Sequence, residues 1–444
     1  MRAQRGAASS LLALRFFDTL DERGVRYCVW RGTLHLERGL RGEGDLDVFV
    51  PGSRRDDFFA IADELGFKRL SGARVEQLFG LDPENASLIH LDVYDRILVG
   101  PGEDRVLEVG DWIFDGARTI EGVTVPSVET ELVLLCIRVQ LALGTRGVAR
   151  AALGRSPVVP ERRVREIRSL LIGADRARIR ERAVSSSLAI NPDDLLHFLA
   201  EIERGTPRVL SAARGARRVQ QQLPPAQRTQ HQPAQKKRFA RGLYVAVVGA
   251  DGAGKSTLVH DLKRWLGKFD VHHLYFGIPK RSARIWSLRK ARGAARRIKD
   301  QGAAWRFFNS ALWLHIARRR LAAHREAERA VAAGGILIAE RFPLPELWDM
   351  DHPMDGPRLK PTDHGYRREH EIYAAVGRPQ LILVLSADLA TLRGRQANLR
   401  EEDHAQKARV VSSMRAGPNV CVIDATASYD DVLREAKREI WRRL

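Results

Sequence analysis

The stretch LYVAVVGADGAGKST, Leu243 to Thr257, carries a continuous apolar segment into a glycine-rich turn and on into the helical stripe Leu258, Leu262 and Leu266. The turn reads Gly249, Ala250, Asp251, Gly252, Ala253, Gly254, Lys255, Ser256, Thr257. It matches the phosphate-loop pattern GxxxxGK followed by Ser or Thr, in the strand-loop-helix setting that pattern requires. Gly252 and Gly254 let the backbone N–H groups converge, and the helix starting near Lys255 adds its positive end. Lys255 is placed to reach β- and γ-phosphates, and Ser256 to offer a hydroxyl to Mg²⁺. ATP with Mg²⁺ is the ligand these residues suit.

Outward from the turn, four more apolar segments alternate with helical ones: Leu274 to Phe276, Ile336 to Ala339, Leu381 to Leu385 and Val420 to Ile423. Continuous apolar strands are covered on both faces, so residues 242–444 are expected to form an α/β domain with a doubly wound parallel sheet. Residues 220–241, rich in Gln, Pro and positive charge, read as a linker. Residues 1–125 alternate helical and strand patterns: a helix at Leu11 to Leu20, strands at Val25 to Trp30 and Asp45 to Val50, a helix at Asp56 to Leu65, and strands around Leu88 to Tyr94. Residues 126–219 read as a helical appendage, opening with VETELVLLCIRVQLAL.

The 444 residues, 44% hydrophobic, supply two or three globular cores and exclude wholesale disorder. Cys28, Cys136 and Cys421 form no CxxC pair, which excludes a cysteine zinc site and a disulfide framework. The histidines, His90, His272 and His273 among them, lack metal-ligand spacing. The opening apolar run is broken by Arg15 and Asp18, so a cytoplasmic protein without a membrane partner is expected. The net charge of +19 is regional. Residues 1–125 hold 16 Lys and Arg against 22 Asp and Glu, whereas Pro279 to Ala330 holds 15 against 3. Trp313, Ala317 and Leu321 make much of that basic stretch an amphipathic helix with arginines in water; a wall attracting an anionic substrate is the functional alternative, and nucleic acid binding the lesser one.

The loop GADGAGKST, the strand GGILIA followed by Glu340-Arg341-Phe342, the segment RPQLILVLSADLATLRGRQANLREE and the segment VCVIDATASYDDVLREAKREI together resemble the thymidylate kinase-like group of nucleoside and nucleotide kinases. The resemblance implies that Arg341 holds the acceptor's phosphate or the transferring phosphoryl group. It also implies that Glu340 stands near Mg²⁺ and the acceptor, and that Arg393, Arg395 and Arg400 belong to a lid. Two features depart from the family. Leu385 is followed by Ser386 where the family has Asp, and FGIPKRSARIW stands in place of its Arg-Glu-Pro-Gly stretch. The acceptor, a small molecule, is thus open between a nucleoside monophosphate, a nucleoside and a sugar-type alcohol, with Asp351, Asp355 and Arg358 as candidate contacts. Oligomeric state is open as well, a homodimer being one option.

Near the start, Gly32-Thr33 precede Asp45-Leu46-Asp47, and IHLDVY supplies Asp92. This resembles the nucleotidyltransferase fold of the polymerase-β type, which implies that Asp45, Asp47 and Asp92 converge on divalent ions. The period of two puts Asp45 and Asp47 on one strand face. Thr33 stands where that family prefers Ser, and a fold that recognises a ligand without catalysis is the alternative. Two rival readings of the whole chain are a nucleic-acid-processing ATPase and a nucleotide-switched regulatory module.

Overall fold

The computed structural model describes residues 9–70, 75–100, 105–142, 150–151, 153–155, 157–186, 191–205, 217, 221, 223–225, 237–277, 282–297, 302–348, 356–395 and 401–444, residues 401–404 by backbone alone. The chain divides into two compact units, Met1–Ala234 and Gln235–Leu444. Most of the segment read as a linker lies outside the described residues.

Unit 1 begins with helix α1 (Leu11–Glu22), strand β1 (Cys28–Arg31), the short α2 (Leu36–Leu40), β2 (Asp45–Phe49) and α3 (Arg55–Glu64), followed by β3 (Lys68–Leu70), β4 (Glu76–Leu81) and β5 (Leu88–Tyr94). The five strands form one mixed sheet in the order β1-β2-β5-β4-β3, in which only β2 and β5 run parallel. Alternation along each strand sorts the side chains. Val29, Leu46, Val48, Ile89, Leu91 and Val93 share a core with Phe16, Phe17 and Leu20 of α1 and Phe58 and Ile61 of α3. Cys28, Trp30, Phe49 and Tyr94 face the other way, into a second core.

That second core is completed by the helices beyond Ser127. Two small hairpins, β6 (Ile97–Val99) with β7 (Arg105–Leu107) and β8 (Arg118–Ile120) with β9 (Val123–Val125), lead into α4 (Val128–Ala142), α5 (Glu161–Leu171), α6 (Arg176–Ser185) and α7 (Pro192–Arg204). Leu132 to Ile137 of α4 are buried against Trp30 and Tyr94 of the sheet and Ile167, Ile179 and Phe198 of the later helices. The helices therefore form a second layer on the sheet.

Unit 2 is an α/β layer structure around five parallel strands in the order β11-β12-β10-β13-β14. In chain order these are β10 (Leu243–Gly249), α8 (Lys255–Trp265), β11 (Val271–Tyr275), α9 (Ala283–Ala295), α10 (Ala303–Ala332), β12 (Ile336–Glu340), α11 (Tyr366–Ala374), β13 (Leu381–Ser386), α12 (Leu389–Arg395), α13 (Glu401–Ser413), β14 (Val420–Asp424) and α14 (Tyr429–Arg443). Tyr244, Ala246 and Val248 face a core shared with Ala327 of α10 and Val411 of α13. On the opposite face α8 and α14 pack together. The second strand differs from its expected place, starting at Val271 and ending at Tyr275. It is an edge strand with one neighbour, half-exposed along its length, so it needs no continuous apolar run.

Because β10 lies between β12 and β13, its carboxyl end opens where the chain has crossed to both sides, the position at which open α/β sheets bind ligands. Among the described residues, no helix is long and apolar enough to cross a membrane.

Candidate functional site

The phosphate-loop pattern falls where β10 ends and α8 begins. Gly249 lies so close to the neighbouring strand that a Cβ there would come 2.8 Å from the Leu385 carbonyl oxygen. Gly254, immediately before α8, takes a φ of +91°, in the left-handed region that favours glycine. Lys255, the first residue of α8, is buried and folds back so that its Nζ donates to the carbonyls of Gly249, at 2.9 Å, and Ala250, at 2.7 Å.

Two strand ends complete the cluster. Glu340 closes β12 in register with Val247, and its Oε1 accepts from the Ser256 hydroxyl. His273 of β11 lies 3.8 Å from Glu340 Oε2. That imidazole is the largest influence on Glu340; together with the Ser256 hydroxyl and the Lys255 charge it outweighs burial and holds the carboxyl below its ordinary value. The next residue, Arg341, has a φ of +58°, a costly conformation for a side chain other than glycine. Its Nη2 stands 3.4 Å from Asp251 Oδ1 of the loop.

Asp251 gathers cations from three segments. Besides Arg341, Lys407 Nζ of α13 donates to Asp251 Oδ2 at 2.5 Å, and Lys255 Nζ is 3.8 Å from Oδ1. Burial would raise this carboxyl, but the Lys407 hydrogen bond and the charges of Lys255, Lys407 and Arg341 overcome it and hold the group below its ordinary value. Beside the loop, a cavity of about 270 Å³ is lined by Ala253, Gly254, Thr257, Leu385, Arg395 and Tyr429, among others.

Of the expected lid arginines, Arg395 lines this cavity, Arg393 lies on α12, and Arg400 is outside the described residues. The lid-side cation that the fold brings to the loop is Lys407, which the motif reading missed. Its signal was helical phase: Val411, four residues on, is buried, so Lys407 shares the inward face of α13. Asp351 and Asp355 also fall outside the described residues, while the Arg358 guanidinium lies 5.4 Å from the Trp313 ring centroid.

The chain is similar to the uncharacterized ATP-binding protein YghR of Escherichia coli, in two strains alike. Each is 28% identical over 220 residues, covering 44% of this chain and 86% of the relative. A solved thymidylate kinase from Candida albicans is 17% identical, covering 46% of this chain and 92% of its own, with a TM-score of 0.30. No protein-family model matches the chain. Strand order and loop together make unit 2 a P-loop kinase-like α/β domain.

A magnesium ion fits the chemistry of this site. Ser256 and Glu340 present hard oxygen donors beside a phosphate loop, and Mg²⁺ takes few protein ligands when phosphates and water supply the rest.

In unit 1 the register sets Asp47 directly opposite Asp92, and Asp45 opposite His90, on one sheet face. Each carboxylate is engaged by protein groups. Arg31 pairs with Asp47 Oδ1, which also accepts from the Tyr94 hydroxyl at 3.0 Å. Gln77 Nε2 donates to Asp92 Oδ1 at 2.7 Å, and His90 sits 2.6 Å from Asp45 and 3.2 Å from Asp92. Burial, reinforced by Asp92, raises the Asp47 carboxyl despite Arg31; Asp92 is lowered because His90 and Gln77 outweigh its burial. Among the described residues no group of three or more carboxylates, histidines or cysteines is placed to hold a metal ion. Asp45, Asp47 and Asp92 thus share one face of the sheet, and a guanidinium stands against Asp47.

Thr33, read as part of a Gly-Thr motif, gives its hydroxyl to Glu131 of α4, a buried acid raised by that burial. An acid inside the apolar run of α4 was the available signal.

Proposed function

We propose that unit 2 is an ATP-dependent phosphotransferase that moves the γ-phosphoryl group of ATP to a small acceptor: a nucleoside monophosphate, a nucleoside or a sugar-type alcohol. The observation that carries this reading is the cluster of Lys255, Ser256, Glu340, Arg341, Asp251 and Lys407 at the carboxyl end of β10. ATP binding by the similar Escherichia coli protein, as its name states, supports the nucleotide.

The 270 Å³ cavity is at the low end of ligand pockets, which run from about 300 Å³ upward, and suits one planar base rather than a whole nucleotide. With the base there, the triphosphate follows the loop toward Lys255. Mg²⁺, held by Ser256 and Glu340, would neutralise charge on the phosphate oxygens. The acceptor oxygen forms the new bond to the γ-phosphorus as the bond to the β,γ-bridging oxygen breaks, ADP leaves, and where the acceptor is a hydroxyl its proton is released to water. Charge spreads over the equatorial oxygens during transfer, so cations at the loop stabilise it. Arg341 and Lys407 are those cations, kept near by Asp251.

Incubating the full chain with γ-labelled ATP, Mg²⁺ and a pooled panel of nucleotides, nucleosides and sugars tests this. One labelled acceptor, absent with Lys255→Ala, is the expected result. ATP hydrolysis stimulated by nucleic acid, with oligonucleotide affinity falling steeply with salt and no labelled acceptor, would favour the ATPase reading.

For unit 1, the pairing of Asp47 with Asp92 on adjacent parallel strands favours a nucleotidyltransferase-like fold. We infer ligand recognition there rather than nucleotidyl transfer, because the carboxylates are engaged with Arg31, His90 and Gln77.

A further inference from the structure

Unit 1 contains a group of hydrogen-bond donors without acceptors to match. Trp30 is fully buried on the sheet face that α4 covers, and its Nε1 has no hydrogen-bond partner. Two guanidinium groups share its ring, with Arg31 Cζ 4.9 Å and Arg138 Cζ 5.1 Å from the centroid. Arg31 is committed to Asp47 and to the Tyr94 hydroxyl. Arg138, from α4, has no ion pair or hydrogen bond among the described residues.

The surrounding charges leave Arg138 in surplus. Asp47 is engaged by Arg31, Asp92 by His90 and Gln77, and Glu166 by Arg163 of α5. Burial, and after it the charges of Arg31 and Arg163, push the Arg138 guanidinium down to about 10, as expected of a cation short of a counter-charge.

We propose that Arg138 and the adjoining Arg31, both beside the Trp30 ring, form a binding site in unit 1 for a phosphate or pyrophosphate group of a small molecule, held by guanidinium groups without a metal ion. A planar guanidinium fork matches phosphate oxygens bidentately, and a compact polyvalent anion satisfies several donors at once. The inference does not rest on the kinase reading of unit 2, and either can fail alone.

The test uses the full chain carrying Lys255→Ala, so that the phosphate loop contributes little, in EDTA, with inorganic pyrophosphate as the probe. Calorimetry is expected to show saturable binding, and tryptophan fluorescence a change that Trp30→Phe removes. Adding Arg138→Gln is expected to weaken binding about tenfold or more, the scale of one charge-assisted hydrogen bond, and Arg138→Lys to weaken it less. Displacement of pyrophosphate by ATP would assign the site to a nucleotide's phosphates, and no displacement to a free or non-nucleotide phosphoanion; both uphold the site. No pyrophosphate binding to the Lys255→Ala chain overturns the proposal, as does an affinity that neither Arg138→Gln nor Arg138→Lys changes. Should Arg138→Gln fail to fold, Arg138→Lys decides, since it keeps the charge and loses the fork.

Discussion

Asp251 in unit 2 and Asp47 in unit 1 are both carboxylates held by basic side chains, yet they sit in opposite electrostatic situations. Asp251 faces Lys255, Arg341 and Lys407 and is held below its ordinary value. Asp47 has one arginine, lies beside a second acid, and is raised by burial. Around Asp251 the cations outnumber their carboxylate and are presented next to converging backbone, so the cluster is ready for more negative charge. Around Asp47 the charges are matched, and the surplus passes to Arg138. The two proposed phosphate sites are thus marked by cations in excess over the nearby carboxylates rather than by those carboxylates themselves.

The sharpest way to break this comparison is Lys255→Ala. It is expected to lower ATP turnover about 10²–10³-fold, the scale of removing one transition-state donor, while circular dichroism shows a folded chain. An unchanged rate would remove phosphate handling from unit 2. Lys407→Ala is next, with an expected loss of about 10- to 100-fold in kcat, corresponding to one charge-assisted hydrogen bond. Retention of full kcat would mean that Lys407 only braces the loop.

These two lysines also mark what the sequence made legible. The loop was readable because its conformation rests on backbone: glycines at Gly252 and Gly254, a strand before and a helix after. Main-chain geometry follows local sequence, so spacing alone sufficed. Lys407 and Arg138 reach their clusters through helix packing, and no spacing rule announces which side chains meet across elements. The same holds for Arg31, whose guanidinium closes on Asp47 only once β1 and β2 pair. Period-two alternation did place Asp45, Asp47 and Asp92 on one face, because register along a strand is a local property. What alternation does not encode is the partner of each carboxylate.

A smaller effect separates the two units. Asp45→Asn with Asp47→Asn is expected to leave ATP turnover unchanged while lowering the stability of unit 1 by about 1–2 kcal/mol, discounted because Arg31 is partly exposed. Urea unfolding beside a turnover assay reads both quantities, and a parallel loss of turnover would show that the units are coupled.

The smallest expected effect is on the acid side. Asp251 and Glu340 have lowered folded values, so the stability they contribute is complete above the ordinary carboxylate range of about 4 and is lost as pH falls through those lowered values. Asp251→Asn should flatten the acid-side dependence of the unfolding midpoint of unit 2. An unaltered profile would mean that Asp251 does not sense its three cations.

The most direct test of the central claim, that the turn at Gly249 to Thr257 grips a triphosphate, is calorimetric titration of the Arg138→Gln chain with ATP and Mg²⁺, which leaves unit 1 without its surplus cation. The account predicts one ATP bound per chain and loss of that binding when Lys255→Ala is added. Undiminished binding in the double variant, or none in the chain that keeps Lys255, would contradict it.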